Sequence, residues 1–405
     1  IVTDHHLQAE QLPEANFIIN PNQRDCSFPS KNLCGAGVVF YLLLALRVVF
    51  RSKGEFKNTP EPNLLELIDL VCLGTVADLV PLDFNNRILV QYGMKKIRQN
   101  ACNYGIQAIA KLSNKSIASL KTSDLSFSIA PKLNAAGRLD DMSIGIKCLL
   151  ARSYAEAEHF ALELMKLNAQ RKEIELEMKE DALDNLSFDK DKSYSLCLYN
   201  KNWHQGVIGI LASRMKEKYH RPTIIFALDS SGIFKGSARS IPGFHMRDAL
   251  DLISKQHTHL IKTFGGHAMA AGLSIGEASF DEFVTVFELH CAKTLTKDDL
   301  NLVVDVDESI LAKSVTFEDV RQIGLSVWGQ GFSPPYFKDG FEVISQKTLM
   351  NKHVKCQLSL KSKIYEAIIF NYVETLPDRI VAVYSMEIND FRGNKSIQLI
   401  LRELV

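Results

Sequence analysis

The feature that most constrains this chain is the stretch from Tyr154 to Asn185, which contains neither glycine nor proline. Such a run reads as one long helix. Its apolar residues Leu162, Met165, Ala169, Ile174, Leu176 and Met178 are only loosely periodic, and charges fill the rest. That is the pattern of a solvated spacer rather than of a binding face. The helix therefore divides the chain into an expected first domain over 1–150, a connecting helix over 151–187, a second domain over 188–298 and a third over 299–405. At 405 residues the chain is long enough for each domain to bury its own core. Two lobes held apart by the connector would leave a cleft between them.

Two stretches ahead of the helix concentrate polar chemistry. Ile1-Val2-Thr3-Asp4-His5-His6 is the end of a β-branched strand running into a carboxyl and two imidazoles, groups suited to metal and phosphate. In an α/β sheet the carboxyl end of a strand opens onto the crevice where ligands bind. Leu70 to Leu82 is an apolar run holding a single carboxylate, Asp78, with Pro81 blocking regular structure beyond it. A carboxylate in apolar company needs a cap, an ion pair or a cation. Between these stretches, Ala15 to Gln23 reads as a strand and turn, and Gly35 and Gly37 precede an apolar run, Val38 to Phe50. That run is interrupted by Arg47 and too short to span a bilayer, so a buried helix is expected, with the glycines allowing close packing.

The segment Ala130 to Asp140 sets Asn134 and Arg138 among small residues, so Arg138 can clamp a phosphate or pair with Asp140 or Asp141. Beyond the long helix, a strand at Tyr194 to Tyr199, a helix ending near His220 and a strand at Thr223 to Leu228 predict a small α/β domain. Lys235 to Arg247, with Ser237 and Arg239, has the chemistry of a phosphate nest or of a plain hairpin. Gly265-Gly266-His267-Ala268 leaves His267 open to whatever approaches the glycines, or makes it a satisfied core histidine. From Asn301 onward, short segments at Leu302 to Val306, Phe341 to Ser345, Val354 to Leu360, Tyr365 to Phe370, Ile380 to Met386 and Ser396 to Leu401 predict a small barrel. Turns at Lys338-Asp339-Gly340 and Arg392-Gly393-Asn394 separate them. Trp328, Phe332, Tyr336 and Phe337 are candidate stacking platforms for bases, or core.

Asp4-His5-His6, the Asp78 stretch and Gly265 to Gly272 together resemble the DHH phosphoesterase superfamily, and within it the RecJ-like exonucleases over nearly the whole chain. The resemblance implies an α/β fold: an incomplete parallel-sheet DHH domain, the connecting helix, a DHH-associated α/β domain and a C-terminal OB-fold barrel. It implies metal ligation by His5 and Asp78, with Asp4 a ligand or the group orienting His5, and phosphate contacts from His6 and His267. It makes the Asn134 to Arg138 segment a substrate-facing loop, and Ser237 and Arg239 contacts to the DNA backbone near its 5′ end. Gly265 and Gly266 allow the substrate's close approach. The implied cofactor is a pair of Mn²⁺ or Mg²⁺ ions, about 4 Å apart in such sites. Residues upstream of the family's Asp-His-His would complete that pair, so the chain alone is expected to be weak or inactive. The implied activity is 5′-to-3′ degradation of single-stranded DNA in recombination and mismatch repair, with a helicase and a single-strand-binding protein as partners. The Trp328 to Phe332 loop is similar to a family motif whose usual first residues differ.

Composition narrows the remaining classes. Lys+Arg and Asp+Glu are 47 each, so nucleic-acid binding has to come from a local patch rather than from net charge. Eight cysteines lie without a CxxC pair, which argues against a zinc knuckle, and with no secretory signal reduced cytoplasmic thiols are expected; a monomer that makes no use of membranes is expected as well. Two alternatives stay open: a DHH phosphatase acting on short oligonucleotides or cyclic dinucleotides, and a single-strand-binding or scaffold protein without catalysis.

Overall fold

The computed structural model describes residues 1–8, 11–184, 186, 188–311, 315–391 and 394–405. In chain order, β1 (Val2–Thr3) and β2 (Ile18–Ile19) precede α1 (Gly35–Ser52), α2 (Ile68–Ala77), α3 (Phe84–Arg98), α4 (Tyr104–Leu112), α5 (Thr122–Asp124), α6 (Ala130–Leu139), α7 (Ser143–Leu150) and α8 (Tyr154–Asp184). Then come β3 (Leu196–Asn200), α9 (Ile208–Tyr219), β4 (Thr223–Leu228), β5 (Ile233–Arg239), α10 (Met246–Gln256), β6 (Ile261–Gly266), β7 (Ala270–Gly276) and α11 (Phe280–Thr294). The last elements are α12 (Phe317–Leu325), β8 (Phe337–Leu349), β9 (His353–Leu360), β10 (Lys363–Phe370), β11 (Arg379–Phe391) and β12 (Asn394–Leu404). The chain forms two compact units, one of Ile1–Pro131, Lys147–Ala161 and Asp305–Val405, the other of Lys132–Ile146 and Leu162–Val304.

In the first unit β1 and β2 pair in parallel, Val2 with Ile18 and Thr3 with Ile19, so the chain enters Asp4 at a strand's carboxyl end. α1 is longer than its apolar run: Cys34 caps it, its Sγ accepting from the Gly37 amide. Its 18 residues have a mean hydropathy of 1.6, long and apolar enough by composition to cross a membrane. Only Gly37, Val38 and Phe40 are buried, so the expectation of a buried helix fails, and Val48, Val49 and Phe50 stay exposed. Close packing occurs where Gly74 of α2 meets α1: a Cβ there would lie 3.0 Å from Ala36 Cβ.

The barrel closes in the order β10-β12-β11-β8-β9. Its core is Phe337, Phe341, Leu358, Ala367, Tyr384 and Leu399 with their neighbours, each large apolar side chain contributing about 1.5–3 kcal/mol by burial. Phe337 is 4 % exposed, which removes it from the candidate stacking residues. Lys338-Asp339-Gly340 is part of β8 rather than a turn, because Asp339 pairs with Ala382 in the ladder. Residues Leu302 to Val306 form no strand. Arg392 and Gly393, expected in a turn, and Asn185, expected in the long helix, lie outside the described residues.

The second unit is a three-layer sandwich. The sheet order is β3-β4-β5-β7-β6, with β3 and β4 parallel and the remaining pairs antiparallel. Period-2 alternation sends Ile224 and Phe226 of β4 to one core, and Ile225 and Ala227 to the other. The first core includes Leu250 of α10 and Phe283 and Phe287 of α11, the second Leu211 and Met215 of α9 with Met178 and Ala182 of α8.

α8 departs from the sequence reading. Its buried positions are Ala157, Ala161, Leu164, Asn168, Arg171, Met178 and Ala182, a stripe advancing alternately by four and three residues when half-buried Glu175 is counted. The helix is packed along that stripe rather than solvated. Polar Asn168 and Arg171 sit inside it and hide the periodicity.

Candidate active site

In the first unit the strand end and the end of α2 converge. His5 Nε2 lies 3.3 Å from Asp78 Oδ2, with the His5 side chain 17 % and the Asp78 side chain 43 % exposed. Asp78 is the C-terminal cap residue of α2. It is therefore not the buried carboxylate that apolar company suggested, and its partner is an imidazole. Asp4 Oδ1 accepts from the His5 amide (2.7 Å), from the His6 amide (3.2 Å) and from His6 Nδ1 (2.8 Å). Burial pushes the Asp4 carboxyl up, but the His6 ring and the two amides outweigh it and hold it below its ordinary value. An ionised carboxylate only accepts, so His6 carries its hydrogen on Nδ1.

The backbone of this turn is braced by residues that gave no functional signal in the sequence. Asn22 Nδ2 donates to His5 O (2.6 Å) and Asn20 Nδ2 to His6 O (2.8 Å). The N-terminus of α1 packs behind the ring, since a Cβ on Gly35 would sit 3.8 Å from His5 Cδ2. Among the described residues, no group of three or more His, Cys, Asp or Glu side chains is placed to hold a metal ion. The His5 and Asp78 donors, 3.3 Å apart, stand a few tenths of an ångström wider than adjacent ligands of an octahedral ion with bonds of about 2.0–2.1 Å, so a small inward shift brings the pair to that geometry. Nitrogen and carboxylate donors without thiolate also suit Mn²⁺ or Mg²⁺.

The second unit gathers residues that lie far apart in sequence. Alternation along β5 puts Ser237 and Arg239 on the face opposite buried Phe234, Gly236 and Ala238. Lys235 to Arg239 is thus part of an internal strand and not a nest-like loop. Arg239 Nη1 donates to Ser237 Oγ (3.2 Å) and Ala238 O (2.8 Å). The first turn of α9, which has no side-chain cap, abuts this pair: a Cβ on Gly209 would lie 3.0 Å from Ser237 Oγ and 3.1 Å from Arg239 Nη2. Arg138, in the last turn of α6, donates from Nη1 to Gly206 O (3.1 Å). A Cβ on Gly206 would lie 2.3 Å from Arg138 O, so only glycine allows this approach. Asn134 is exposed on the same helix, so the expected substrate loop is helical.

Electrostatically this is a site short of negative charge. Burial lowers the Arg138 guanidinium's pKa, Arg171 lowers it further and Glu175 opposes both. Burial and then Arg138 lower that of Arg239. Neither arginine has a carboxylate ion pair among the described residues. Arg171, 6 % exposed, is held by Asn168 and by Glu175 (2.7 Å), and Glu175 also accepts from Arg214 (3.0 Å). Two partly buried arginines in mutual repulsion beside an uncapped helix N-terminus form a cradle for an anion.

His267 lies in the turn between β6 and β7, exposed rather than in the core, its amide donating to Ala270 O (2.7 Å). Gly266 has φ +143°, and a Cβ there would strike Ala270 O at 2.5 Å. Gly265 has open space where a side chain would go, so it leaves room without being forced by the backbone.

Residues 1–75 match the DHH family N-terminal domain, 192–293 the DHHA1 domain and 306–403 the RecJ OB domain. The single-stranded-DNA-specific exonuclease RecJ of Haemophilus influenzae is 48 % identical over 99 % of this chain and 72 % of that protein. The Escherichia coli protein of the same name is 45 % identical over 99 % of this chain and 72 % of its own length. The crystal structure of Thermus thermophilus RecJ in complex with Mn²⁺ superposes on the whole chain with a TM-score of 0.80 at 27 % identity, the chain spanning 57 % of that structure. Identity at this level across nearly the full chain, on this fold and these domains, means that the chain belongs to the RecJ family of single-stranded-DNA-specific exonucleases.

Proposed function

We propose that this chain is a divalent-cation-dependent exonuclease that removes nucleotides from the 5′ end of single-stranded DNA. The observation that carries the reading is the approach of His5 Nε2 to Asp78 Oδ2 at the carboxyl end of β1. His5 and Asp78 would hold Mn²⁺ or Mg²⁺, with Asp4 a further ligand or the group orienting His5, from whose amide it accepts. When bound, such ions supply a hydroxide at neutral pH and neutralise the departing oxygen. His6, its hydrogen on Nδ1 and its ring fixed by Asp4, contacts the phosphate undergoing hydrolysis, and His267, in the β6–β7 turn of the second unit, is a phosphate contact of that unit. Arg138, Ser237, Arg239 and the first amides of α9 bind the strand's phosphates near the 5′ end, while Asn134, Gly265 and Gly266 line its approach.

The domain limits that go with this reading are 1–150, 151–187, 188–298 and 299–405. The biological setting is recombination and mismatch repair by a cytoplasmic monomer working with a helicase and a single-strand-binding protein. A length series of 5′-phosphorylated single strands, with Mn²⁺ present, tests the activity. Stepwise shortening of long strands from the 5′ end is expected. Cleavage confined to di- and trinucleotides would replace the exonuclease with an oligonucleotide phosphatase.

A further inference from the structure

Asp78 is held from a distance. Directly after it Leu79 has φ +57°, a conformation leucine rarely adopts, and its side chain is 55 % exposed, so its own burial does not hold it there. The constraint comes from the other end of the short connector to α3. Pro81 O accepts from Asn86 Nδ2 (2.9 Å). Asp83 caps α3 and accepts from Ser30 Oγ (3.0 Å) and Asn32 Nδ2 (3.2 Å). Between them, Leu82 is 4 % exposed and its amide donates to Gln330 O at 2.7 Å.

Gln330 belongs to a small closed turn from the segment preceding the barrel. Gly329 and Phe332 exchange backbone hydrogen bonds of 2.9 and 3.0 Å, and Gly331 takes φ +70°. The rings of Trp328 and Phe332 stack 5.3 Å apart at 13°, and the Arg87 guanidinium lies 3.7 Å over Phe332. Trp328 Nε1 donates to Ile323 O (2.6 Å), and Trp328 O accepts from Thr122 Oγ1 (2.7 Å). Gly329 sits so close to Leu82 that a Cβ on it would be 2.7 Å from Leu82 Cδ1. Both rings, half-buried, are thus already in contact with other groups of the protein.

We propose that the Trp328 to Phe332 turn is a positioning element of the metal site: it clamps Leu82 and thereby fixes the connector that carries Asp78. Trp328 and Phe332 are positioning residues rather than platforms on which bases stack. The inference rests on the reading of Asp78 as a metal ligand. It makes occupancy of the metal site depend on a segment some 250 residues away in sequence.

The test uses Trp328→Ala, with Phe332→Leu as the milder variant should the first fold poorly. Three quantities are read: amide hydrogen exchange of the peptide covering residues 79–83, Mn²⁺ affinity by paramagnetic resonance, and affinity for single-stranded DNA in EDTA. The expected result is faster exchange at 79–83 with the barrel strands unchanged, Mn²⁺ affinity lowered about 10-fold, as is typical when a residue supporting a metal ligand is lost, and DNA affinity within a factor of about two. Unchanged exchange at 79–83 overturns the proposal, as does faster exchange with unaltered Mn²⁺ affinity. Lost DNA affinity with unchanged exchange would make the rings a stacking platform. If the unsubstituted protein takes up no Mn²⁺, it is the metal-site reading of Asp78 that fails, and exchange alone then decides whether the turn holds the connector.

Discussion

Replacing Gly206 with alanine tests the anion cradle at its tightest point. A Cβ at Gly206 would lie 2.3 Å from Arg138 O, against the 3.0 Å below which real Cβ atoms essentially do not go. The difference, 3.0 − 2.3 = 0.7 Å, is the least by which the end of α6 and the residues before α9 must separate. Nothing flexible absorbs that shift, because the atom met is backbone. Gly206 O is also the acceptor for Arg138 Nη1. The displacement therefore moves the Arg138 guanidinium away from Ser237, Arg239 and the first turn of α9. Misplacement of about 1 Å in a binding group can cost about 100-fold, so a loss of about 10- to 100-fold is expected here, or about 1.4–2.8 kcal/mol. The assay is fluorescence anisotropy with a 5′-phosphorylated single strand beside its 5′-hydroxyl counterpart. Gly206→Ala should abolish most of the preference for the phosphorylated end while leaving the weaker binding of the hydroxyl strand in place. Wild-type affinity and preference in a folded variant would refute the claim that the close approach of these two segments builds the cradle.

Other substitutions probe the two units separately. Arg221 is 3 % exposed and donates to the carbonyls of Ser193, Tyr219, His220, Leu300 and Lys190. Arg221→Met should destabilise the second unit by about 3 kcal/mol or more, since it leaves several carbonyl acceptors without their donor at about 1–3 kcal/mol each where buried, seen as an earlier urea transition. In the barrel, Tyr384 is wholly buried and its hydroxyl donates to Asp339 Oδ2 at 2.7 Å. Tyr384→Phe should cost about 1–2 kcal/mol, read from thermal unfolding, and Asp339 retains its bond from Ser309. The Asp4 carboxyl, held below its ordinary value of 3.8, stabilises the Asp-His-His turn at pH values above that figure. The contribution is lost as pH falls through the lower folded value. Asp4→Asn should therefore flatten the acid limb of the unfolding curve, and an unchanged limb would show that the carboxylate's bonds to His6 carry no stability.

Much of the architecture could be read from local pattern. The alternating segments after Phe337 and the strand, helix, strand order after Tyr194 pointed to the barrel and to a small α/β domain, because each pattern reports its own element. Asp4, His5, His6 and Asp78 stood out because polar groups at strand and helix ends are conspicuous in apolar surroundings. What pattern could not supply was convergence. Arg138 and Arg239 are a hundred residues apart, and their shared site exists only because Gly206 and Gly209 let α6, α9 and β5 crowd together. The buried stripe of α8 was obscured because Asn168 and Arg171 occupy apolar-looking positions in it. Their burial is satisfied by one another and by Glu175. The aromatic pair Trp328 and Phe332 carried the composition of a base-stacking surface, and only the structure shows the two half-buried rings stacked on each other with Arg87 over Phe332.

On the proposed mechanism, hydrolysis of a single strand depends on the carboxylate facing His5. The measurement is release of 5′-mononucleotides from 5′-phosphorylated single-stranded DNA in Mn²⁺ and in EDTA, for the protein and for Asp78→Asn. Release that requires Mn²⁺ and falls by about 100-fold or more in the variant, as expected for loss of a metal ligand's charge, is the predicted result. Equal release by the two proteins, or release that persists in EDTA, would contradict it.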